Sequence, residues 1–562
     1  MKKPAVTIYD TSLRDGLQGE KIKLSLEEKL LVVEELDKLG IHHIEGGFPL
    51  ASDQEREFFM RVRSLKLHHA TICAFGSTCA PQEQISTSLH LNALLKAETE
   101  AVTVVGKSSD LHVTEVLKTT MATNLKIIEG SVAWLKKHGR QVIYDAEHFF
   151  DGYLNNPKYA LQTLTAACNG GADIIVLCDT NGGTIHHDLK KILAAVTEQL
   201  ALAKLGVQLG IHLHNDTGMA VANSLLSLDY GVTQVQGTLN GWGERCGNTN
   251  LALVMGNLQF KLGLPCVTAD QIRHLTYASR RLNEIANIPN DDKLGYVGRS
   301  AFAHKAGQHA DVLFKSAPLM EHLDATLIGN NRRILLSELA GRATVSFKMN
   351  RFGHFDKNSA EVKTLITKLK KAEQAGYEYE AAEASFDLVI RKTLDQYKKL
   401  FTLIEYGVSI ESKRLEEHAT EAKTTVTTTV PERTNAFVRI KVNNQELSGI
   451  ASGQGPVSSL DKALRKALLD VYPFISELSL SNYKVRVLNG HQASTDAKVR
   501  VFIETHSHNK KAPFKRWETI GVSTNIIDAS WQAIVDSFEF YYNELTYLHK
   551  TTPEPIHVKS HT

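Results

Sequence analysis

The 562-residue sequence lacks several features that mark specialised classes of protein. No apolar run approaches the roughly 20 residues that cross a bilayer, and no apolar signal region opens the sequence. Its 64 Lys and Arg residues nearly balance its 62 Asp and Glu residues, so it has no excess of one sign to bind nucleic acid or an anionic membrane. We therefore expect a cytoplasmic protein with neither nucleic acid nor membrane as a partner.

Cysteine and proline are also sparse, at 6 and 13 residues. No two cysteines form a C-x-x-C pair, which argues against a disulfide framework or a structural zinc site and favours buried thiols in a reducing compartment. Hydrophobic residues make up 43% of the chain and charged residues 22%. This composition is typical of a soluble globular protein, and the length is sufficient for more than one domain.

Between Val6 and about Leu262 one unit recurs: a short β-rich run, a polar or glycine-containing turn, and a longer segment with apolar residues at helical spacing. One helix shows how the unit is bounded, because Ser25 and Glu28 are spaced as a capping box and Gly40 can end the helix. Eight such units predict a (β/α)8 TIM barrel rather than an open doubly wound sheet, which more often has five or six strands. The predicted strands are Val6–Asp10, His42–Gly47, His68–Ala74, Ala101–Val105, Gln141–Asp145, Asp173–Cys178, Gln208–His214 and Thr233–Gln236.

The rest of the chain changes character twice. After the barrel the segments are mostly helical, with a Gly- and His-rich interruption at residues 298–311, and a threonine-rich stretch typical of a linker follows. Beyond it, a crude repeat with helix starts near Asp461 and Asp528 predicts two α+β halves. We therefore predict a TIM barrel, a helical subdomain, a linker, a C-terminal α+β domain and a disordered tail, at residues 1–270, 271–415, 416–435, 436–548 and 549–562, respectively.

The strongest candidate site lies at the carboxyl ends of the predicted strands, where barrel enzymes keep their active sites. His212 and His214 are in phase on the seventh strand, so both imidazoles face one side and can share a divalent metal ion. Taken alone, the pair is equally well explained by two hydrogen-bonded histidines. Barrel closure brings the loop after the first strand nearby, so Asp15 can be a third ligand and Arg14 can stabilise an oxyanion. The alternative for this Arg-Asp pair is a local ion pair in a turn.

Three further strand ends add polar groups at the same face. The glycine-rich loop after the eighth strand ends in Asn248, a hard oxygen donor, although such a loop can also simply cap the next helix. Glu147, after the fifth strand, is a candidate base. Asp179, after the sixth, has the more common role of a helix cap as its alternative, and we leave it out of the catalytic set.

Five motifs occur in one order along nearly the whole chain. They are Arg14-Asp15-Gly16, Glu45-Gly46-Gly47-Phe48-Pro49, His212-Leu213-His214-Asn215-Asp216, Gly241-Trp242-Gly243-Glu244-Arg245-Cys246-Gly247-Asn248 and Gly453-Gln454-Gly455-Pro456-Val457. Together they resemble the α-isopropylmalate/homocitrate synthase family. Within that family, the strings at residues 144–153, 337–342 and 521–527 favour a member that uses pyruvate.

The resemblance implies a Claisen-type condensation, in which the methyl carbon of acetyl-CoA adds to the ketone of a 2-oxo acid and the thioester is hydrolysed. Pyruvate would be that acid, on a route toward isoleucine. The implied ligands of a divalent ion, which could be Mn, Zn, Co or Mg, are Asp15, His212, His214 and Asn248. Arg14 would bind substrate and stabilise the alkoxide, Thr180 would hydrogen-bond the substrate carboxylate, and Glu147 would orient or deprotonate acetyl-CoA.

The resemblance also implies contributions from outside the barrel. His309 matches an acid/base histidine that the family delivers into the partner subunit's barrel, so a homodimer is expected. The tyrosine that relatives carry a few residues later is replaced near Met320. The C-terminal repeat resembles a regulatory domain that binds an end-product amino acid, here an isoleucine-like effector, and a purely dimerising domain is the alternative.

Three other functions are compatible with parts of this pattern. A synthase for 2-oxoisovalerate or 2-oxoglutarate would share the metal and Arg14. Tyr144 could narrow the acyl pocket to a methyl group, but one aromatic residue does not decide the preference when a methylene is worth about 1–3 kcal/mol. An acyl-CoA lyase would share the barrel without needing the repeated C-terminal domain. An amino-acid sensor with an inactive barrel is disfavoured because the full ligand set is present.

Overall fold

The structure is a computed structural model of the chain. It describes residues 6–202, 207–305, 317–335, 342–379, 382–411, 433–488, 497–509 and 516–551. His309, most of the predicted linker at 416–435 and most of the tail at 549–562 lie outside the described residues. The chain divides into two compact units, the first comprising residues 1–303 and 321–333 and the second residues 304–320 and 334–562.

The first unit contains a closed barrel of eight parallel strands in sequential order, as the sequence pattern predicts. Strand β8 pairs with β1 to close it, with Gln236 opposite Tyr9. The same residue lies opposite His212 of β7. The strands are β1 (Thr7–Asp10), β2 (His43–Gly47), β3 (Thr71–Ser77), β4 (Ala101–Lys107), β5 (Gln141–Glu147), β6 (Ile174–Asp179), β7 (Gln208–Leu213) and β8 (Val232–Gly237).

Helices follow the strands and cover the outside of the barrel. They are α1 (Leu26–Leu39), α2 (Asp53–Val62), α3 (Leu89–Lys96), α4 (Asp110–Glu115), α5 (Met121–Lys137), α6 (Phe149–Asn155), α7 (Pro157–Asn169), α8 (His186–Leu202), α9 (Ala220–Ser227), α10 (Leu251–Phe260), α11 (Ala269–Ile272) and α12 (Leu275–Ile285). The capping box of α1 forms as predicted from Ser25 and Glu28, and Gly40 ends the helix at φ 84°. A side chain would be strained in that left-handed conformation.

Two sets of apolar side chains hold the barrel together. Alternate residues of each strand face outward and pack with the helices in one large core, whereas a smaller cluster contains Tyr9 of β1, Ile143 of β5 and Val176 of β6. Because residues two apart on a strand share a face, Asp145 and Glu147 point the same way as Ile143. This alternation decides which polar groups reach the carboxyl-end mouth of the barrel.

The second unit ends in two similar halves, which matches the predicted α+β repeat. Each half is a three-stranded antiparallel sheet followed by a helix. The first half is β11 (Thr402–Glu411), β12 (Arg433–Val442), β13 (Gln445–Gly453) and α16 (Pro456–Leu468), and the second is β14 (Leu478–Val487), β15 (Val499–Ser507), β16 (Arg516–Ser523) and α17 (Ile526–Thr551). The expectation of helix up to residue 415 is wrong for β11, whose residues Thr402–Glu411 pair antiparallel with β12.

The region between the barrel and these halves is mostly helical, as expected. Its helices are α13 (Arg342–Met349), α14 (Ala360–Ala375) and α15 (Glu383–Thr393), and a two-stranded sheet pairs β9 (Ala303–Lys305) with β10 (Arg333–Leu335). Among the described residues, no helix combines the length and the apolarity that crossing a lipid bilayer requires.

Candidate metal centre and active site

Asp15, His212 and His214 converge at the carboxyl end of the barrel. The Asp15 Oδ2 atom lies 3.1 Å from Nε2 of His212 and 3.6 Å from Nε2 of His214. One donor atom from each residue lies within 4.8 Å of the others, and all three residues are buried. Two imidazoles and a carboxylate at these separations can hold one divalent ion. The structure thus contains a possible metal site at the residues singled out from the sequence.

The charges of these three residues depend on one another. Burial alone would raise the pKa of Asp15, but Arg14 and the two histidines hold it well below its usual range. Burial likewise opposes the charged form of His212, but the hydrogen bond and charge of Asp15 raise its pKa. Burial and the neighbouring His212 lower the pKa of His214 to about 4. A carboxylate and a neutral imidazole are the protonation states that bind a cation.

Asn248 supplies the test of whether a metal fits this site. It is 2% exposed, and its Nδ2 donates to the Trp242 carbonyl at 3.0 Å, whereas its Oδ1 has no hydrogen-bond partner among the described residues. Its backbone bridges to that of His214. A buried amide oxygen without a partner is unfavourable unless something else binds it, and a hard cation would do so. The donor set therefore fits a divalent metal ion.

Gly243 leaves room for this amide. A Cβ atom at position 243, where φ is +146°, would lie 2.3 Å from the Asn248 Nδ2 atom. Any larger residue would thus push the Asn248 side chain from its place.

Arg14 is held beside the three residues by a partner to which the sequence analysis gave no role. Its Nε donates to Oε1 of Glu45 at 2.5 Å, and its guanidinium carbon lies 4.0 Å from the centre of the Phe75 ring. Glu45 is fully buried and also accepts from the Tyr9 hydroxyl at 2.7 Å. Burial disfavours the charged guanidinium, but Glu45 and Asp15 raise the Arg14 pKa above its usual value. Arg14 therefore remains a fixed cation at the edge of the metal site.

The opposite wall of the mouth carries Glu147 and Thr180. Glu147, the last residue of β5, forms an ion pair at 2.5 Å with Lys107, the last residue of β4. The Thr180 Oγ1 atom accepts from the backbone N–H of His148 at 2.9 Å, which leaves its own hydroxyl hydrogen free to donate to a ligand. Both residues line a cavity of about 470 Å3, together with Arg14 and the three candidate metal ligands.

Tyr144 does not border this cavity, contrary to the expectation that it narrows the acyl pocket. It is one residue from Asp145 and three from Glu147, so it lies on the opposite face of β5 and is fully buried in the outer core. Its ring stands behind Gly106, where a Cβ would lie 2.8 Å from the Tyr144 hydroxyl oxygen. Gly106 does line the cavity, so Tyr144 supports the wall without contacting its contents.

The sequence analysis also missed Lys107 and Gln236. Lys107 pairs with Glu147, and the amide oxygen of Gln236 lies 2.9 Å from Nδ1 of His212. Each is a polar residue at the carboxyl end of a barrel strand and in phase with residues that face the interior. This position on the strand, with the side chain facing the interior, was the sequence signal from which both residues could have been identified.

Comparison with known proteins places this site in a family. The HMGL-like family model matches residues 5–281, the homocitrate synthase post-HMGL domain-like model residues 296–376, and the LeuA allosteric (dimerisation) domain model residues 380–542. The (R)-citramalate synthase of Aquifex aeolicus is 45% identical over 95% of this chain and 97% of its own. That of Synechocystis sp. is 45% identical over 97% of each chain. The chain belongs to the (R)-citramalate synthase family.

A synthase with another name is less similar. The 2-isopropylmalate synthase of Methanocaldococcus jannaschii is 27% identical over 94% of this chain and 93% of its own. The chain is therefore an enzyme of the citramalate synthase type, and the resemblance inferred from its motifs is confirmed.

Proposed function

We propose that this enzyme condenses acetyl-CoA with pyruvate and hydrolyses the thioester, which gives (R)-citramalate and CoA for isoleucine biosynthesis. The observation that supports this most is the convergence of Asp15, His212 and His214 beside Arg14, in a chain 45% identical to two (R)-citramalate synthases over nearly its whole length. In the reaction, a methyl proton of acetyl-CoA is removed and a carbon–carbon bond forms to the ketone carbon of pyruvate. The ketone oxygen takes up a proton, and water then cleaves the thioester.

The metal ligands in this proposal are Asp15, His212, His214 and Asn248. A divalent ion bound there would polarise the ketone and chelate the carboxylate of the 2-oxo acid. The two imidazole nitrogens and two oxygens accept Mn, Zn, Co or Mg.

Arg14 and Thr180 position the electrophile. Arg14 is a cation held rigidly by Glu45 and Phe75, so it can stabilise the negative charge that develops on the ketone oxygen without reorganising. The free hydroxyl hydrogen of Thr180 can donate to the pyruvate carboxylate. Both side chains are in position before the substrate binds, so the active site does not have to reorganise when charge develops, and the barrier to the reaction is lower.

Glu147 acts on acetyl-CoA in this proposal. Its carboxylate is oriented by Lys107 at the cavity wall, where it can position the acetyl methyl group or accept its proton. His309, which lies outside the described residues, is the acid/base residue proposed from the family resemblance, and the partner subunit would supply it.

The C-terminal sheets carry exposed apolar side chains, which supports the expectation of a homodimer. Phe437 of β12 and Ile450 of β13 are register partners, and they are 44% and 68% exposed. Val485 and Val487 of β14, in the other three-stranded sheet, are also exposed. Exposed apolar side chains grouped on a sheet commonly mark a protein interface. We propose that a second copy covers these apolar residues and that an isoleucine-like effector binds in the C-terminal region.

Product identification tests the proposed reaction. The enzyme would be incubated with acetyl-CoA, Mn²⁺ and one 2-oxo acid at a time, and the products identified by mass spectrometry. We expect citramalate from pyruvate at a higher rate than the product from 2-oxobutyrate or 2-oxoisovalerate. A preference for 2-oxoisovalerate would reject the assignment, as would cleavage of citramalyl-CoA without any condensation.

A further inference from the structure

Gln236 is a fully buried polar residue inside the barrel to which no step of the proposed reaction assigns a role. It lies on β8 directly opposite His212 of β7, and both side chains face the barrel interior. Its Oε1 atom lies 2.9 Å from His212 Nδ1, on the side of the imidazole away from Asp15. Gln236 therefore contacts a candidate metal ligand without being able to bind the metal through the same atom.

The other end of the amide determines which way it points. Its Nε2 lies 3.4 Å from Oδ1 of Asp145 and 3.3 Å from Oε1 of Gln234. The Oδ1 atom of Asp145 and the amide oxygen of Gln234 are the acceptors at these contacts, so the NH2 group of Gln236 faces them and its oxygen faces His212. The reversed amide would place oxygen against oxygen at both contacts. Asp145 and Gln234 thus orient the Gln236 amide.

An amide oxygen beside His212 also selects the form of the imidazole. The oxygen can only accept, so His212 must carry its proton on Nδ1. The lone pair of the neutral ring then lies on Nε2, the atom 3.1 Å from Asp15. The opposite tautomer would present an N–H to the cation and could not bind it.

We propose that Gln236 is a positioning residue that holds His212 in the tautomer and ring orientation required for metal binding. The inference rests on the proposed function only in taking Asp15, His212 and His214 as ligands of a divalent ion. Loss of such an outer hydrogen bond to a metal-bound histidine typically weakens metal binding about 10- to 100-fold. Gln234 offers a matched control, because it is the same residue type, equally buried on the same strand, and makes no hydrogen bond to His212. Its replacement leaves Asp145 as an acceptor that still orients the Gln236 amide.

The experiment measures Mn²⁺ binding directly, with the chelator-treated full-length protein titrated and free Mn²⁺ followed by its paramagnetic resonance signal. We expect Gln236→Met to raise the Mn²⁺ Kd about 10- to 100-fold and Gln234→Met to change it less than about threefold. Gln236→Glu should bind Mn²⁺ more tightly than Gln236→Met, because its carboxylate can still accept from His212 Nδ1, although it no longer donates to Asp145 or Gln234. Thermal unfolding in chelator reports the packing loss that the two Met variants share.

If Gln236→Met does not fold, Gln236→Asn replaces it, since the shorter side chain keeps an amide in the barrel but withdraws the oxygen from His212. Equal Kd values for the variants at 236 and at 234 would overturn the proposal, as would a Gln236→Glu protein that binds as weakly as Gln236→Met. Failure of the proposed function looks different, because the wild-type protein would then bind Mn²⁺ but release no CoA with pyruvate. A wild-type protein that binds no Mn²⁺ would overturn both.

Discussion

Replacing Glu45 by glutamine tests how strongly the interior of the barrel holds Arg14. The two side chains are 0% and 16% exposed, and their closest atoms are 2.5 Å apart. Two unit charges about 4 Å apart attract by about 4 kcal/mol at an effective dielectric constant of about 20. Glutamine keeps an oxygen for the Arg14 Nε–H, and the Phe75 contact remains, so we expect about 2–3 kcal/mol of transition-state stabilisation to be lost.

A loss of that size corresponds to about 100-fold in kcat/KM. The rate would be measured as CoA release, with pyruvate varied at saturating acetyl-CoA, and thermal unfolding would confirm that the variant is folded. Tyr9→Phe is the control, because it removes one hydrogen bond to the same carboxylate, and one to Thr103, but leaves the Glu45 charge in place; it should lower kcat/KM by about tenfold or less. A folded Glu45→Gln enzyme with kcat/KM within threefold of wild type would refute the idea that Glu45 fixes Arg14.

Three other predictions follow from the site and its surroundings. His212→Ala should abolish Mn²⁺ binding and turnover, whereas Glu147→Gln should keep the metal and slow the chemical step, as metal analysis beside single-turnover kinetics would reveal. Gly243→Ala should weaken Mn²⁺ binding by displacing the Asn248 amide, whereas Gly139→Ala, also at positive φ but with open space around it, should lower only stability. Burial raises the pKa of Asp10 from 3.8 to about 7, so folding favours the protonated side chain. The stability that Asp10 contributes is therefore complete below about pH 4 and is lost as the pH rises to 7. Asp10→Asn should therefore gain stability over wild type by up to about 1.4 kcal/mol per pH unit between pH 5 and 7, and a pH-independent difference in unfolding would contradict this assignment.

The barrel could be predicted from the sequence because its signals are local. Each strand is a short apolar run bounded by a turn, and the cap of α1 is determined by Ser25, Glu28 and Gly40 within a few residues of the helix. The predicted strands agree with the observed strands to within a few residues at either end. Strand β11 was missed because it follows a helical stretch, and its partner β12 lies beyond residues 412–432 in the sequence.

The candidate site was predicted only as far as spacing and family resemblance reach. His212, His214 and Asp15 lie at the ends of strands that barrel closure must bring together, and the structure does bring them together. Glu45 and Gln236 contribute through side-chain contacts between neighbouring βα units, with Arg14 and His212 respectively, and spacing along the chain does not specify these partners.

Tyr144 was misplaced for a different reason. A residue three positions before Glu147 on a strand must face the opposite side, so the alternation along β5 already excluded a shared cavity. Side-chain phase on each strand is therefore a more reliable guide to the lining of this barrel than residue type.

The C-terminal region joins two like modules in one polypeptide, each with three antiparallel strands and a helix, but the helices differ in length at 13 and 26 residues. If the two modules were separate chains encoded by one gene, every mutation would alter both. Two modules within one polypeptide can change independently. The segment that opens the shorter helix at Pro456 can diverge while the one that opens the longer helix at Ile526 is retained. One module can thereby change at its helix start and surface while the other keeps the original fold.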